Sequence, residues 1–144
     1  MFHHFHDDKT HKSGQGSISK DTFVKIIKFI GRENILNSYE FYEKFKKGIL
    51  KKNEVCLTFD DGLKCVYDVI YPILDEYKLK SFFFIPSIIF EEKINLLEVY
   101  RYFRTNYFDN INDFYKLFFL KCDDSKLNNF LKSNEKKIHQ IKKT

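Results

Sequence analysis

The sequence predicts an α/β fold with parallel strands. Three observations carry that expectation. "EVCLTF" (residues 54–59) is a compact, β-favouring apolar run of buried-strand length, and "SFFFIP" (81–86) is a second. Between them Val66, Val69, Ile70, Ile73, Leu74 and Tyr77 keep helical spacing. Strand, helix and strand within residues 54–86 match the length of a βαβ unit, whose crossover helix lets the two strands run parallel.

The other elements follow in chain order. "MFHHFH" alternates and predicts a short strand, and "KSGQGSISK" reads as a polar Gly/Ser-rich loop. Phe23, Ile26, Ile27 and Ile30 fall at i, i+3, i+4 and i+7, one face of a helix that Ser19 caps and Gly31 ends. A second short helix starts at Asn37 or Ser38, with Phe41, Tyr42 and Phe45 expected inward and Gly48 at its C′ position. Pro72 falls inside the crossover helix, where it removes one hydrogen bond and clashes with the preceding turn, so a kink or restart is expected there. Beyond Ile94, Asn95 with Glu98 resembles a capping box, and Leu96, Val99, Tyr100 and Phe103 form the expected inner face of a further helix. Ile111, Phe114 and Phe118 predict another, and a Lys- and Asn-rich stretch with Leu127, Leu131 and Ile138 is more weakly patterned.

Composition bounds the function. The 144 residues are 43% hydrophobic and include 17 Phe and 9 Tyr, enough for one domain with an aromatic core and too little for two. The net charge of +5 comes from dispersed pairs such as Lys46-Lys47, Lys51-Lys52, Lys136-Lys137 and Lys142-Lys143, which read as solvated helix faces rather than a nucleic-acid groove. Cys56, Cys65 and Cys122 form no CxxC pair and no even framework, as expected of reduced thiols. The opening residues carry no positive region followed by an apolar one, and "FFFIPSIIF" is too short to span a bilayer. A soluble, cytoplasmic protein is expected.

The chemistry concentrates in "TFDDG" (58–62). In a parallel α/β fold, sites gather where strands end and loops begin. Gly62 permits a sharp turn or close approach of a ligand. Adjacent carboxylates repel and are costly to bury unpaired, so Asp60 and Asp61 point to a cation or to a raised pKa. Neighbouring residues face different directions, which allows one to hold a metal while the other moves a proton. The bland alternative is a turn that caps the following helix.

The whole stretch "VCLTFDDGLKCVYDVIYPILDEYKLKSFFFIP" resembles the first conserved block of polysaccharide deacetylases, the chitooligosaccharide deacetylase homology domain, over residues 54–86. "FHHFHD" at the start is similar to the Tyr-His with which many members begin. The resemblance implies a distorted, TIM-like (β/α) barrel that removes N- or O-acetyl groups from carbohydrate with a divalent metal, zinc for preference. It also implies Asp60 as catalytic base, Asp61 as metal ligand and His4 as a residue lining the substrate pocket. A water deprotonated by Asp60 beside the cation would attack the acetyl carbonyl.

The departures are equally specific. The family completes its metal site with two histidines spaced HxxxH on a later loop. The histidines here are His3, His4, His6, His11 and His139, and no HxxxH follows Asp61. The family's later arginine-proline segment and the leucine-histidine pair that supplies its catalytic acid are missing too. A catalytic zinc takes three protein ligands and an open position, of which the family pattern supplies one here. A TIM-type barrel takes on the order of 250 residues, so residues 1–144 are expected to be a single, incomplete domain, the N-terminal part of such a barrel. It would be weakly active or inactive alone and prone to self-association through an exposed edge.

Some alternatives stay open at the level of sequence. On a regular strand, His4 and His6 share one face with His3 on the other; one alternative is that His4 and His6 join Asp61 around a metal, another that His4 is merely solvated. Cys56 and Cys65 flank the motif but read better as small buried hydrophobes than as thiolates. Arg101 and Arg104 read as a solvated helix face before an anionic-sugar site. The competing functions are a non-catalytic carbohydrate- or protein-binding remnant and an interaction protein in which Asp-Asp-Gly is only a turn.

Overall fold

A computed structural model describes residues 1–14, 16–91, 93–121 and 129. The chain divides into two compact units, Met1–Thr105 and Asn106–Thr144. In the first unit, β1 (Phe5–His6) pairs in parallel with β2 (Ile18–Ser19), and β3 (Thr58–Asp60) pairs in parallel with β4 (Phe82–Phe84). A parallel bridge between Phe2 and Phe59 joins the two pairs. There the Phe2 amide donates to the Thr58 carbonyl at 2.9 Å, and the Asp60 amide donates to the Phe2 carbonyl at 3.0 Å. The expected parallel crossover is present. Among the described residues these strands form no closed barrel.

α1 (Lys20–Ile30) has the expected bounds. The Ser19 hydroxyl accepts from the Thr22 amide at 3.1 Å, and Gly31, at φ 84°, ends the helix while its amide donates to the Ile27 carbonyl. Replacing Ser19 with Ala removes this cap and is expected to lower stability by about 1 kcal/mol in urea unfolding. A change under ~0.3 kcal/mol would show that water serves the Thr22 amide equally well. Phe23 and Ile27 from the predicted face are fully buried.

α2 (Ser38–Lys46) also starts where expected, but Asn37 does not cap it. Its side-chain oxygen instead accepts from the Lys80 amide at 2.8 Å, fastening the start of α2 to the residues before β4. Tyr42 and Phe45 are exposed, against expectation, because no described layer lies over that face.

After β3 the helix is wound as a π-helix over Val66–Ile70 and restarts as α3 (Tyr71–Glu76), with Pro72 in its first turn. Here the Tyr71 amide donates to the Val66 carbonyl, five residues back. Proline has no N–H and needs room at the preceding turn; the wider winding provides it.

The core is aromatic. Phe2, Phe5, Phe23 and Phe59 form a closed group with ring centroids 5.3–6.1 Å apart, and Phe83 stacks on Phe59 at 5.3 Å. Val66, Val69, Ile70, Ile73 and Leu74 close it from the crossover helix.

Two further expectations are corrected. The run "SFFFIP" is a strand, but Phe83, Phe84 and Ile85 are about half exposed, since β4 has β3 on one side and no further strand among the described residues on the other. α4 (Leu96–Tyr107) forms, yet Leu96, Val99, Tyr100 and Phe103 are not buried. The second unit holds α5 (Ile111–Lys121), where Phe114 and Phe118, one turn apart, stack at 6.0 Å. Leu127, Leu131, Ile138, His139, Cys122 and the last lysine pairs lie outside the described residues.

Candidate functional site

Asp60 is the last residue of β3, and the chain leaves the strand through two residues in the left-handed region, Asp61 (φ 73°) and Gly62 (φ 61°). Asp tolerates this conformation better than most side chains. At Gly62 a β-carbon would also stand 3.3 Å from Ile85 Cγ2, so glycine is needed there on two counts. The turn separates the two carboxylates as the sequence suggests. Asp60 Oδ1 is buried with no hydrogen-bond partner among the described residues, whereas Asp61 faces the N-terminal histidines.

The Phe2–Phe59 bridge brings those histidines to the strand end. His3 Nδ1 lies 3.0 Å from Asp61 Oδ2; a carboxylate oxygen only accepts, so the proton of this hydrogen bond sits on Nδ1. His4 Nε2 lies 3.4 Å from Glu98 Oε2 and touches Arg101 Nη1. Arg101 Nη1 also donates to Glu98 Oε1 at 2.9 Å. A guanidinium only donates, so His4 Nε2 presents its lone pair to Arg101. Burial pushes the His4 imidazole below its usual range and Arg101 adds to this, against the opposing pull of Glu98. One ligand atom from each of His4, Asp61 and Glu98 falls within 4.8 Å of the others.

His6 is not part of this group. Phe2 and Phe5, three apart, both enter the aromatic core, so strict alternation fails across the first six residues. The His6 ring instead meets Ser17 Oγ at 2.8 Å on the approach to β2. His11 Nε2 reaches Asp68 Oδ2 at 2.8 Å, and Lys64 Nζ reaches the same oxygen at 2.5 Å. Lys64 first, then His11, hold the Asp68 carboxyl below its usual range. These contacts tie the loop after β1 to the helix after the Asp pair. Cys56 is partly buried and Cys65 buried; burial raises both thiols, which suits packing and not nucleophilic chemistry.

Sequence reasoning missed Glu98 and misplaced Arg101. Glu98 reads as a capping residue, but its carboxylate turns to His4 and Arg101; the i, i+3 spacing of Glu98 and Arg101 was the only local sign. Arg101 is turned into the site rather than along a solvated face. A separate cleft of about 410 Å³ lies by the N-terminal end of β4, lined by Tyr71, Leu74, Lys78, Lys80, Ser81 and Phe83, away from the Asp pair.

Parallel strands with an acid pair at the C-terminal end of one of them, Asp61 beside His4 and Glu98, define an α/β protein with a candidate site at a strand end. Comparison adds a family likeness over part of the chain: residues 47–102 match the polysaccharide deacetylase family model. The match includes Asp60, Asp61, Glu98 and Arg101 and leaves out His4. No curated protein and no solved structure gives a significant match. The residues present fit the divalent metal typical of such a domain: one imidazole and two carboxylates converge, and a buried carboxylate oxygen next in sequence lacks a partner.

Proposed function

We propose that the chain is a metal-assisted carbohydrate deacetylase module that removes an acetyl group, as an amide or an ester, from an amino sugar or glycan precursor. "TFDDG" at the C-terminal end of a parallel strand, inside the matched segment and beside a His/Asp/Glu group, carries this reading. Asp61 is its metal ligand, Asp60 its catalytic base, and His4 lies on the substrate side of Asp61. When bound, a divalent ion, zinc for preference, polarises the acetyl carbonyl and makes water easier to deprotonate. Asp60 takes the proton of the attacking water, the new C–O bond forms, and the C–N or C–O bond to the sugar breaks to release acetate. Within residues 62–144 the one histidine is His139, and in this reading solvent supplies the proton of the leaving group. Losing such an acid costs roughly two to four orders of magnitude in rate. The free thiols of Cys56 and Cys65 support a reducing, cytoplasmic setting. No described helix is long and apolar enough to cross a membrane.

The proposal includes self-association of two copies along β4, whose outer edge and half-exposed Phe83 and Phe84 favour strand addition. The test combines acetate release from a panel of acetylated oligosaccharides, with and without zinc, sugar binding by calorimetry, and sizing chromatography of the same sample. Sugar binding and slow, zinc-stimulated release from a self-associated chain are expected. Binding with no release in any condition would favour the second reading, a carbohydrate-binding remnant, for which the lack of HxxxH within residues 62–144 speaks. Neither binding nor release would remove both readings, and a strict monomer would remove the β4 contact.

A further inference from the structure

We propose that His4, Asp61 and Glu98 form a divalent-cation site, and that Arg101 is its built-in competitor. The ligand set joins the strand-end turn, the N-terminal segment and α4, and only Asp61 among them is a ligand by the family resemblance. His4 Nε2 and Glu98 Oε2 face each other at 3.4 Å. With the Nε2 lone pair turned outward, both atoms are acceptors, and two acceptors at that distance need a cation or donor between them. Arg101 meets the need in this structure: it contacts His4 Nε2 and donates to Glu98 Oε1.

A guanidinium serves that pair at the edge, whereas a compact divalent ion can also take an oxygen of Asp61, whose ligand atom lies within 4.8 Å of the other two. The same Nε2 lone pair cannot serve both partners, so ion binding requires Arg101 to withdraw from His4. One imidazole with two carboxylates suits zinc or cobalt better than calcium or magnesium, which favour all-oxygen shells. His3 supports the set from outside by holding Asp61 Oδ2. The inference deepens the deacetylase reading, on which it rests for the purpose of the ion. Ion binding is measured without turnover, so the two fail separately.

The experiment titrates Co²⁺ and Zn²⁺ into the 144-residue chain and its variants by calorimetry, following the visible bands of bound Co²⁺, with circular dichroism as the folding control. His4→Ala and Glu98→Gln are each expected to weaken binding by at least about tenfold and to alter the Co²⁺ spectrum. His6→Ala, aimed at Ser17, is expected to leave both unchanged. Arg101→Gln is expected to tighten binding several-fold, because the competing cation is gone. Parent-like affinity in folded His4→Ala or Glu98→Gln would overturn the ligand set, as would the absence of ion binding by the parent chain. Unchanged or weaker binding in Arg101→Gln would overturn the competition. Acetate release and sugar binding are scored separately and bear only on the deacetylase reading.

Discussion

Phe59→Ala is expected to destabilise the first unit by about 3–5 kcal/mol. Phe59 is 1% exposed and stands at the centre of the aromatic group. It stacks on Phe2 at 5.6 Å and on Phe83 at 5.3 Å, and meets Phe5 and Phe23 at 6.1 and 6.0 Å. Truncation removes its own burial and leaves four rings facing a cavity that a backbone tied by the Phe2 bridge cannot close. Domains of this size hold only about 5–15 kcal/mol in total, so a substantial unfolded population at room temperature is expected. Phe29→Ala is the control: that ring is 92% exposed, and a change within about 0.5 kcal/mol is expected. Urea denaturation followed by circular dichroism measures both. A loss under ~1 kcal/mol at Phe59 would mean that the aromatic group is not the core of this unit.

The second large effect separates the two carboxylates. Asp61→Asn is expected to lower zinc or cobalt affinity by more than the ~10–100-fold typical of supporting residues around a metal, whereas Asp60→Asn leaves affinity nearly unchanged and abolishes the slow acetate release. Asparagine is the right probe because it tolerates the left-handed backbone of Asp61, at φ 73°, and removes the charge without the strain that alanine would add. At Asp60 the buried, unpartnered Oδ1 already lacks a donor, so the amide changes proton affinity with little change in shape. Equal ion affinity in the parent and both variants would remove the metal role of Asp61. Undiminished release in Asp60→Asn would remove that residue as the base.

Local chemistry made part of this structure legible in the sequence. Ser19, the Phe23/Ile27 face and Gly31 define α1 because capping, periodicity and a left-handed stop all act within a few residues. Pro72 announces its disturbance in the same way, and the parallel pairing of β3 with β4 follows from the length of the crossover. What failed were inferences that assume a partner. Tyr42 and Phe45 in α2, and Leu96 and Val99 in α4, have the spacing of buried faces, but spacing cannot say whether another layer arrives to cover them. The strand β2 hid in a polar loop, because two residues paired to β1 leave no periodic trace. Glu98 is the clearest case. Its local context resembles a cap, and its actual partner is a histidine at the other end of the unit, which no pattern over neighbouring residues records.

The contact between Arg101 and His4 spans 97 positions. Such a closure carries the entropy of a long loop, and chains that depend on distant contacts reach them late. The N-terminal segment, strand β3 and helix α4 must all be in place before His4 can meet its neighbours. Every contact that His4 makes in the site therefore depends on elements distant from it in sequence. A cation held there would act as a clasp between the two ends of the first unit, adding its binding free energy to the folded state.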